Sequence, residues 1–497
     1  MSAEGREVDP SERPKAVVVG VQLPEVSDAE HASSLEELER LATTLGLEPI
    51  GRVVQRRGSL SKAAVVGEGK LKVLAAWTGG DGVIPSGAKR KKRKIDRDDE
   101  APNDEKEDPD GEAAAEGAAE LEADAGTDGE GEGEAGAFAR AADGPPPGVR
   151  ATVVLVDHDL SPSQARNLER ATGAEVLDRT SVILAIFQRH ARTREARLQV
   201  EIARLAYQAP RLREVGAGSD RQRGGIGGKG AGESALELDR RKIRDRIAEL
   251  REELASIEHE AGVRRKRRSE AATVALVGYT NAGKSSWMRA LTGGEVYVAD
   301  KLFATLDTTV RILVPETRPR ILVSDTVGFI KKLPHDLVAS FRSTLEEARE
   351  ARLLLHVLDA SDPAFRQQFE VTRTVLRELD ADDAPALVLL NKIDKVEPAD
   401  REALAVEFPD ALQVSARDPA DKKRVHAAIV AFFEKDMVDA RFVVPYDRQA
   451  MTARLHEETR VLSEAWEEDG AHLVVRGAPG VIDKLRKELA QGGARRG

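Results

Sequence analysis

Ala272-Thr-Val-Ala-Leu-Val277, followed at once by Gly278-Tyr-Thr-Asn-Ala-Gly283-Lys284-Ser285 and then Ser286-Trp-Met-Arg-Ala-Leu-Thr-Gly, constrains this chain more than any other stretch. The apolar run reads as a buried strand, the loop satisfies G-x-x-x-x-G-K-S, and the residues after it read as a helix. A strand buried on both faces needs parallel neighbours and helices packed over them, so the unit predicts a layered α/β domain. Glycines let backbone N–H groups approach and cradle phosphates, and the helix N-terminus adds partial positive charge. Lys284 would neutralise the β- and γ-phosphates, and the Ser285 hydroxyl would ligate Mg²⁺. Gly278, Asn281, Ala282, Gly283, Lys284, Ser285 and Ser286 are therefore candidate phosphate-site residues.

Two further motifs stand at the ends of apolar runs. In Arg320-Ile-Leu-Val-Ser-Asp325-Thr-Val-Gly328 the pattern is D-x-x-G. Asp325 would hold Mg²⁺ through water, and the Gly328 N–H would sense the γ-phosphate. In Ala386-Leu-Val-Leu-Leu-Asn391-Lys392-Ile-Asp394 the pattern is N-K-x-D. The Asp394 carboxylate can accept from both the N1–H and the 2-amino group of guanine, a pattern adenine lacks, so the nucleotide expected here is GTP or GDP. Asn391 and Lys392 would support base and loop, and Ser415-Ala416, after Leu412-Gln-Val414, reads as a weaker fifth element of the same set. Each motif alone is common; their order after the phosphate loop is what carries the reading.

Between these motifs lies Leu302-Phe-Ala-Thr305-Leu-Asp307-Thr308-Thr309, where Thr305 is the candidate to ligate Mg²⁺ and contact the γ-phosphate. Lys284, Thr305 and Gly328 thus form the expected catalytic set. The residue after Gly328 is Phe329, which cannot orient an attacking water. Positioning and charge must then come from elsewhere, and slow turnover is expected without them. Two suppliers stand open: a docked partner, or a monovalent cation held by Asn281, a role that resembles that seen in potassium-activated GTPases.

At 497 residues the chain implies about three or four domains of ordinary size. No run approaches the ~20 apolar residues of a membrane span, the start lacks an apolar signal stretch, and there are no cysteines, so a cytoplasmic protein without disulfides or thiolate metal sites is expected. The net charge of −11 comes almost wholly from residues 89 to 135, with 18 acidic and 8 basic side chains. That tract lies in an insertion over 80–150, poor in aromatic residues and expected to be disordered; its basic run Lys89 to Lys94 receives no function. Around the insertion, AVVVGVQL and PIGRVVQRR read as strands flanking the helix SLEELERLATTLG, and ATVVLVD, a helix from Ser161 and a strand SVILAIF continue the layer. Leu198, Ile202 and Leu205, and then Ile243, Ile247, Leu250, Leu254 and Ile257, mark two helices of an antiparallel hairpin. Between them, residues 216–232 hold eight glycines with Arg221, Arg223 and Lys229. Gly225, Gly227 and Gly230 satisfy G-x-G-x-x-G, but helices flank the loop, so the dinucleotide reading is rejected. The basic end Arg264 to Arg268 decides nothing alone. The organisation expected is a disordered 1–14, an α/β domain 15–188, the hairpin 189–268, a Ras-like P-loop GTPase domain 269–437 and a small α+β domain 438–497.

The chain resembles the HflX family of ribosome-associated GTPases through DHDLSPSQARNLE from Asp157, DRTSVILAIFQRHARTREARLQVEIARLAYQAPRL from Asp178, GGIGGKGAGESALELDRR from Gly224, FATLDTT from Phe303 and DTVGFIKKLPHDLVASFRSTLEEA from Asp325. The resemblance implies binding to the large ribosomal subunit and its RNA, and GTP-dependent splitting or rescue of stalled ribosomes by a protein expected to be monomeric. A rigid stalk with a basic glycine-rich loop suits phosphate contacts in ribosomal RNA. Ribosome assembly, or a GTP-gated protein-interaction scaffold, are the alternatives. The chain departs from the family pattern at Ala231 and at Thr308, where the family usually has Pro, at Ser234-Ala235, where it usually has a Thr-Gln pair, and in its long acidic insertion.

Overall fold

The computed structural model describes residues 13–61, 63–84, 145, 148–214, 235–266, 272–293, 302–303, 309–331 and 347–491. Thr305, the glycine-rich loop 216–232 and most of the acidic insertion, with its basic run, lie outside the described residues. The chain has the multidomain α/β fold expected of it, built on three sheets.

The first sheet is parallel throughout. Its strands β1 (Lys15–Gln22), β2 (Glu48–Arg56), β3 (Val153–Val156) and β4 (Glu175–Asp178) stand in the order β2-β1-β3-β4. Strand β1 is central and buried along nearly its whole length, which explains its unbroken apolar run. Helix α1 (Asp28–Leu45) begins where the Ser27 hydroxyl accepts the Glu30 N–H and stops at Gly46 in the left-handed region; it buries Leu35, Leu38, Leu41, Ala42 and Leu45 at spacings of three and four. Helices α2 (Glu68–Thr78) and α3 (Pro162–Thr172) complete the layers, α3 opening with a reciprocal Ser161–Gln164 capping box.

SVILAIF, expected as a strand, is instead the interior of helix α4 (Arg179–His190). The Asp178 carboxylate caps it by accepting the Ser181 N–H at 2.9 Å. The helix is buried at Val182, Ile183, Leu184, Ile186 and Phe187, so its apolar residues do not alternate with polar ones, and a short continuous apolar run carries neither period.

Helices α5 (Arg194–Gln208) and α6 (Ala235–Lys266) pack antiparallel: Arg194 meets Glu253, and Glu201 meets Arg246. Leu198, Ile202 and Leu250 form their buried seam, flanked by Leu205, Ile247, Leu254 and Ile257.

The second sheet has the order β10-β9-β8-β5-β7-β6. Its strands are β5 (Ala272–Val277), β6 (Thr309–Ile312), β7 (Ile321–Asp325), β8 (Leu353–Asp359), β9 (Ala386–Asn391) and β10 (Leu412–Gln413), all parallel except β6. Helices α7 (Lys284–Thr292), α8 (Phe365–Glu378) and α9 (Pro398–Glu407) connect strands of this sheet, and α10 (Pro419–Glu434) follows β10 and leads to the third. The third sheet is antiparallel, β11 (Val438–Val444) and β12 (Arg460–Glu467) on either side of β13 (Gly470–Gly477), with α11 (Gln449–Glu458) and α12 (Pro479–Gln491) beside it. Among the described residues, no helix is long and apolar enough to cross a membrane.

One buried cluster joins the first two sheets. It holds Leu38, Leu41, Val182 and Phe187 from the first unit together with Val277, Tyr279, Phe303, Val327, Phe329 and Ile330 from the second.

Candidate functional site

Every motif residue singled out in the second sheet stands at the carboxyl end of a strand, where ligands of open parallel sheets bind. The loop from Gly278 leaves β5 and turns into α7 through Gly283, at φ +102°, a conformation that L side chains rarely adopt. A Cβ there would also collide with the Asn391 amide. Asn281 holds positive φ as well and is exposed, while Ala282 is buried and Ser286 is half-buried on the first turn of α7.

Lys284 is buried and donates from Nζ to the carbonyls of Gly278 at 3.0 Å and Tyr279 at 2.9 Å. Burial pushes its pKa down to about 8, against the upward pull of Asp325. A desolvated ammonium in a cradle of backbone groups is a strong partner for phosphate oxygens. Ser285 donates from Oγ to Asp325 Oδ2 at 2.9 Å, so the hydroxyl and carboxylate expected to share an ion are already adjacent. Both are hard oxygen donors of the kind magnesium takes, and the pair fits that ion.

The segment after Asp325 is stitched to the loop. Thr326 donates to the Leu276 carbonyl at 2.6 Å. Phe329 donates its N–H to Gly278 O at 3.2 Å and accepts the Thr280 N–H at 2.7 Å, pairing with Tyr279 as a parallel bridge. Its ring is 1% exposed and packs in the shared core, so Phe329 is a structural tie and presents no polar group to a nucleotide. Gly328 lies so close that an added Cβ would stand 2.8 Å from Thr280 Cα and 3.0 Å from Lys284 Nζ.

The guanine motif is bonded to the same loop. Asn391 is buried and donates from Nδ2 to Ala282 O at 2.8 Å, while its Oδ1 accepts the Ala416 N–H at 3.2 Å. Lys392, at φ +59°, reaches back to Asn281 O at 2.9 Å and to Asp359 Oδ2 at 2.6 Å. Asp394 is exposed on the short 3₁₀ turn Ile393–Lys395. Ser415 is fixed by its N–H to Asp421 Oδ2 at 2.8 Å. Phosphate loop, D-x-x-G, N-K-x-D and Ser415-Ala416 are therefore one connected constellation, with Thr305 outside the described residues. Sequence reasoning missed Asp359, Asp421 and Tyr279. The two aspartates carry no local motif, and Tyr279 occupies a loop position that G-x-x-x-x-G-K-S leaves open.

Family profiles described as "GTP-binding GTPase N-terminal", "GTP-binding GTPase Middle Region" and "50S ribosome-binding GTPase" match residues 32–83 with 131–188, 190–268, and 273–392, respectively. The chain is 54% identical over 484 residues to a GTPase HflX of Gluconacetobacter diazotrophicus, covering 96% of this chain and 98% of that relative. It is 34% identical over 479 residues to a GTPase HflX of Caldanaerobacter subterraneus subsp. tengcongensis, covering 96% and 94%. A GTP-binding protein from the hyperthermophilic archaeon Sulfolobus solfataricus, solved in complex with GDP, matches at 20% identity over 84% of this chain and 99% of that one, with a TM-score of 0.40.

Proposed function

This chain belongs to the HflX family of GTPases, and from that premise we propose that it is a GTP-gated factor that binds the large ribosomal subunit and splits or rescues stalled ribosomes. The observation that carries the nucleotide half of this reading is the pair of hydrogen bonds made by the Asn391 amide, which ties the guanine motif to the phosphate loop and to Ala416. The ribosomal half is supported by the family profile over 273–392 and by the antiparallel stalk of α5 and α6, with a basic, glycine-rich sequence between its helices.

In this reading Asp394 selects guanine through its carboxylate, with Asn391 and Lys392 holding the loop that carries it. Backbone N–H groups from Gly278 to Ser286 and the Lys284 ammonium hold the phosphates. Ser285 and Asp325 hold magnesium with Thr305, and the ion, when bound, neutralises charge on the phosphates. The Gly328 N–H and Thr305 read the γ-phosphate, so that the segments around them are ordered with GTP and released after hydrolysis, raising and then lowering affinity for the ribosome. Phe329 supplies nothing to the attacking water, and its place is taken by K⁺ at Asn281 or by the docked ribosome.

Sucrose-gradient sedimentation tests the role. Incubation with intact ribosomes and GTP is expected to convert them to subunits. Comigration with precursor particles alone would favour an assembly role, and association that survives complete RNA digestion without ribosomal proteins would replace the ribosome with a protein partner.

A further inference from the structure

Tyr279 lies inside the phosphate loop, yet its hydroxyl is bonded in two other directions. It donates to Glu37 Oε1 on α1 and accepts the backbone N–H of Lys331 at 2.7 Å. The other Glu37 oxygen takes the guanidinium of Arg179, at the start of α4. Arg179 in turn donates to Asp157 Oδ1 at 2.6 Å and to Ser34 Oγ at 3.3 Å, and Ser34 donates to Asp157 Oδ2 at 2.7 Å. Arg179 is 2% exposed and Asp157 1%. Burial pulls the guanidinium pKa down, but Glu37 and Asp157 more than offset it and hold Arg179 above the ordinary arginine value. Burial, with Glu37 beside it, also raises the Tyr279 hydroxyl well above its usual value, so the proton stays on it. Glu37 is therefore held from behind and presents one fixed oxygen to Tyr279.

The position of this network in the first sheet is informative. The strand order β2-β1-β3-β4 reverses between β1 and β3, and Asp157 directly follows β3. The carboxyl-end crevice at such a reversal is where doubly wound sheets bind ligands. Here buried ion pairs stand at that reversal, and their outermost member, Glu37, faces the phosphate loop. Around it, Leu302 N donates to Thr44 Oγ1 at 3.3 Å, Phe303 N donates to Thr280 Oγ1 at 3.1 Å, and the Phe303 ring meets Phe187 edge-on at 4.5 Å.

We propose that Tyr279 is a positioning residue of the GTPase reaction: its hydroxyl, fixed by Glu37 of the N-terminal unit, holds the Lys331 amide and so sets where the segment after Gly328 stands over the phosphate loop. The proposal rests on the reading that residues 278–285 hold the nucleotide's phosphates. Among the described residues, three hydrogen bonds join loop and segment here: two through Phe329, made by backbone alone, and one through the Tyr279 side chain. Only the third is governed from the N-terminal unit. A phenylalanine would fill the same ring volume but leave the Lys331 N–H and a buried carboxylate oxygen without their partner, and a misplacement of about 1 Å can cost up to about a hundredfold in rate.

The test uses the full chain, single-turnover GTP hydrolysis and equilibrium binding of a fluorescent GDP. Tyr279→Phe is expected to slow hydrolysis by roughly ten- to a hundredfold while GDP affinity stays within about twofold, the split that marks loss of placement rather than of binding. Glu37→Ala should slow it similarly, and Glu37→Gln, which keeps an acceptor for the hydroxyl, should recover most of the rate. An unchanged rate in Tyr279→Phe overturns the proposal, as does loss of rate and GDP affinity in equal proportion, or a Glu37→Gln as slow as Glu37→Ala. Lys284→Ala separates the two levels: if it binds nucleotide as the parent does, the phosphate-loop reading itself fails, whatever Tyr279→Phe does.

Discussion

The side-chain amide of Asn391 bridges two loops that lie 134 residues apart in the chain, donating to Ala282 O at 2.8 Å and accepting from Ala416 N at 3.2 Å. Both partners are backbone groups, so the bridge sets the distance between the loop proposed to hold phosphate and the loop proposed to hold the base. Asn391→Ala leaves a buried carbonyl and an amide unpaired. At about 1–3 kcal/mol for each such group, GDP binding should weaken by roughly ten- to a hundredfold or more. Titration with a fluorescent GDP checks it; unchanged affinity would mean that the two loops hold their separation without Asn391.

Base selection is expected to rest on Asp394, exposed on its short turn with its carboxylate open to a base. Asp394→Asn replaces an acceptor pair with one donor and one acceptor. The N1–H and 2-amino group of guanine then meet a mismatched edge, whereas xanthine offers a C2 carbonyl to the new N–H. GTP affinity should fall by about a hundredfold, the value of one or two charge-assisted hydrogen bonds, and xanthosine triphosphate should gain. Competition binding with GTP, ATP and xanthosine triphosphate measures it, and equal losses for all three would contradict a role in base choice.

The pH dependence of binding follows from Lys284, whose pKa burial lowers to about 8. Phosphates beside the ammonium raise that pKa in the complex. Affinity from this group is thus fully present below about 8 and is lost as pH rises toward the pKa of the complex. The sign is opposite to that of a carboxylate contact. Over this window the dissociation constant for GDP should rise by up to about tenfold per pH unit. Lys284→Met should abolish most of the slope along with most of the affinity; a flat profile in the parent protein would refute the assignment.

Arg179 makes a separate prediction about stability. Removing one member of a buried charge network strands the others, at a cost of about 3–5 kcal/mol. Arg179→Ala leaves Asp157, 1% exposed, without its guanidinium partner and should lower the thermal unfolding midpoint measurably. Arg194→Ala is the contrast. Its pair with Glu253 is three-quarters exposed on the arginine side, and its loss should fall within about 1 kcal/mol.

The sites were legible in the sequence because each motif packs its chemistry into a few consecutive residues at a strand end: Gly278 to Ser285, Asp325 to Gly328 and Asn391 to Asp394. Helix α1 was legible from Leu35 onward because its apolar period runs to Gly46, but its start at Asp28 depended on the Ser27 cap. Helix α4 was misread because a helix buried on most sides loses the polar stripe that reveals its period. The union of the two halves was not legible at all. Tyr279 and Glu37 are 242 residues apart, and neither carries a local signature of the other. For the same reason Phe329 read as a missing catalytic group, when its burial makes it a structural tie.

That tie bears on the monovalent cation. With Phe329 in the core, the group missing after Gly328 has to be replaced by something outside that segment, and one candidate position is the rim of the loop, where Asn281 is exposed and its carbonyl accepts from Lys392. A small cavity there is lined by Asn281, Asp359 and Asp362 but also by Arg40 and Lys331, with Arg40 3.9 Å from Asp362 and Lys392 2.6 Å from Asp359, so the expected ion contact rests on Asn281 rather than on the carboxylates. GTP hydrolysis in potassium chloride should therefore exceed that in sodium chloride by about tenfold or more, within the range for one electrostatic contact to a developing charge. Asn281→Ala should bring the two salts to the same slow rate without loss of GDP affinity. Equal rates for the parent protein in the two salts would remove the ion from the mechanism and leave the docked partner as the supplier of charge.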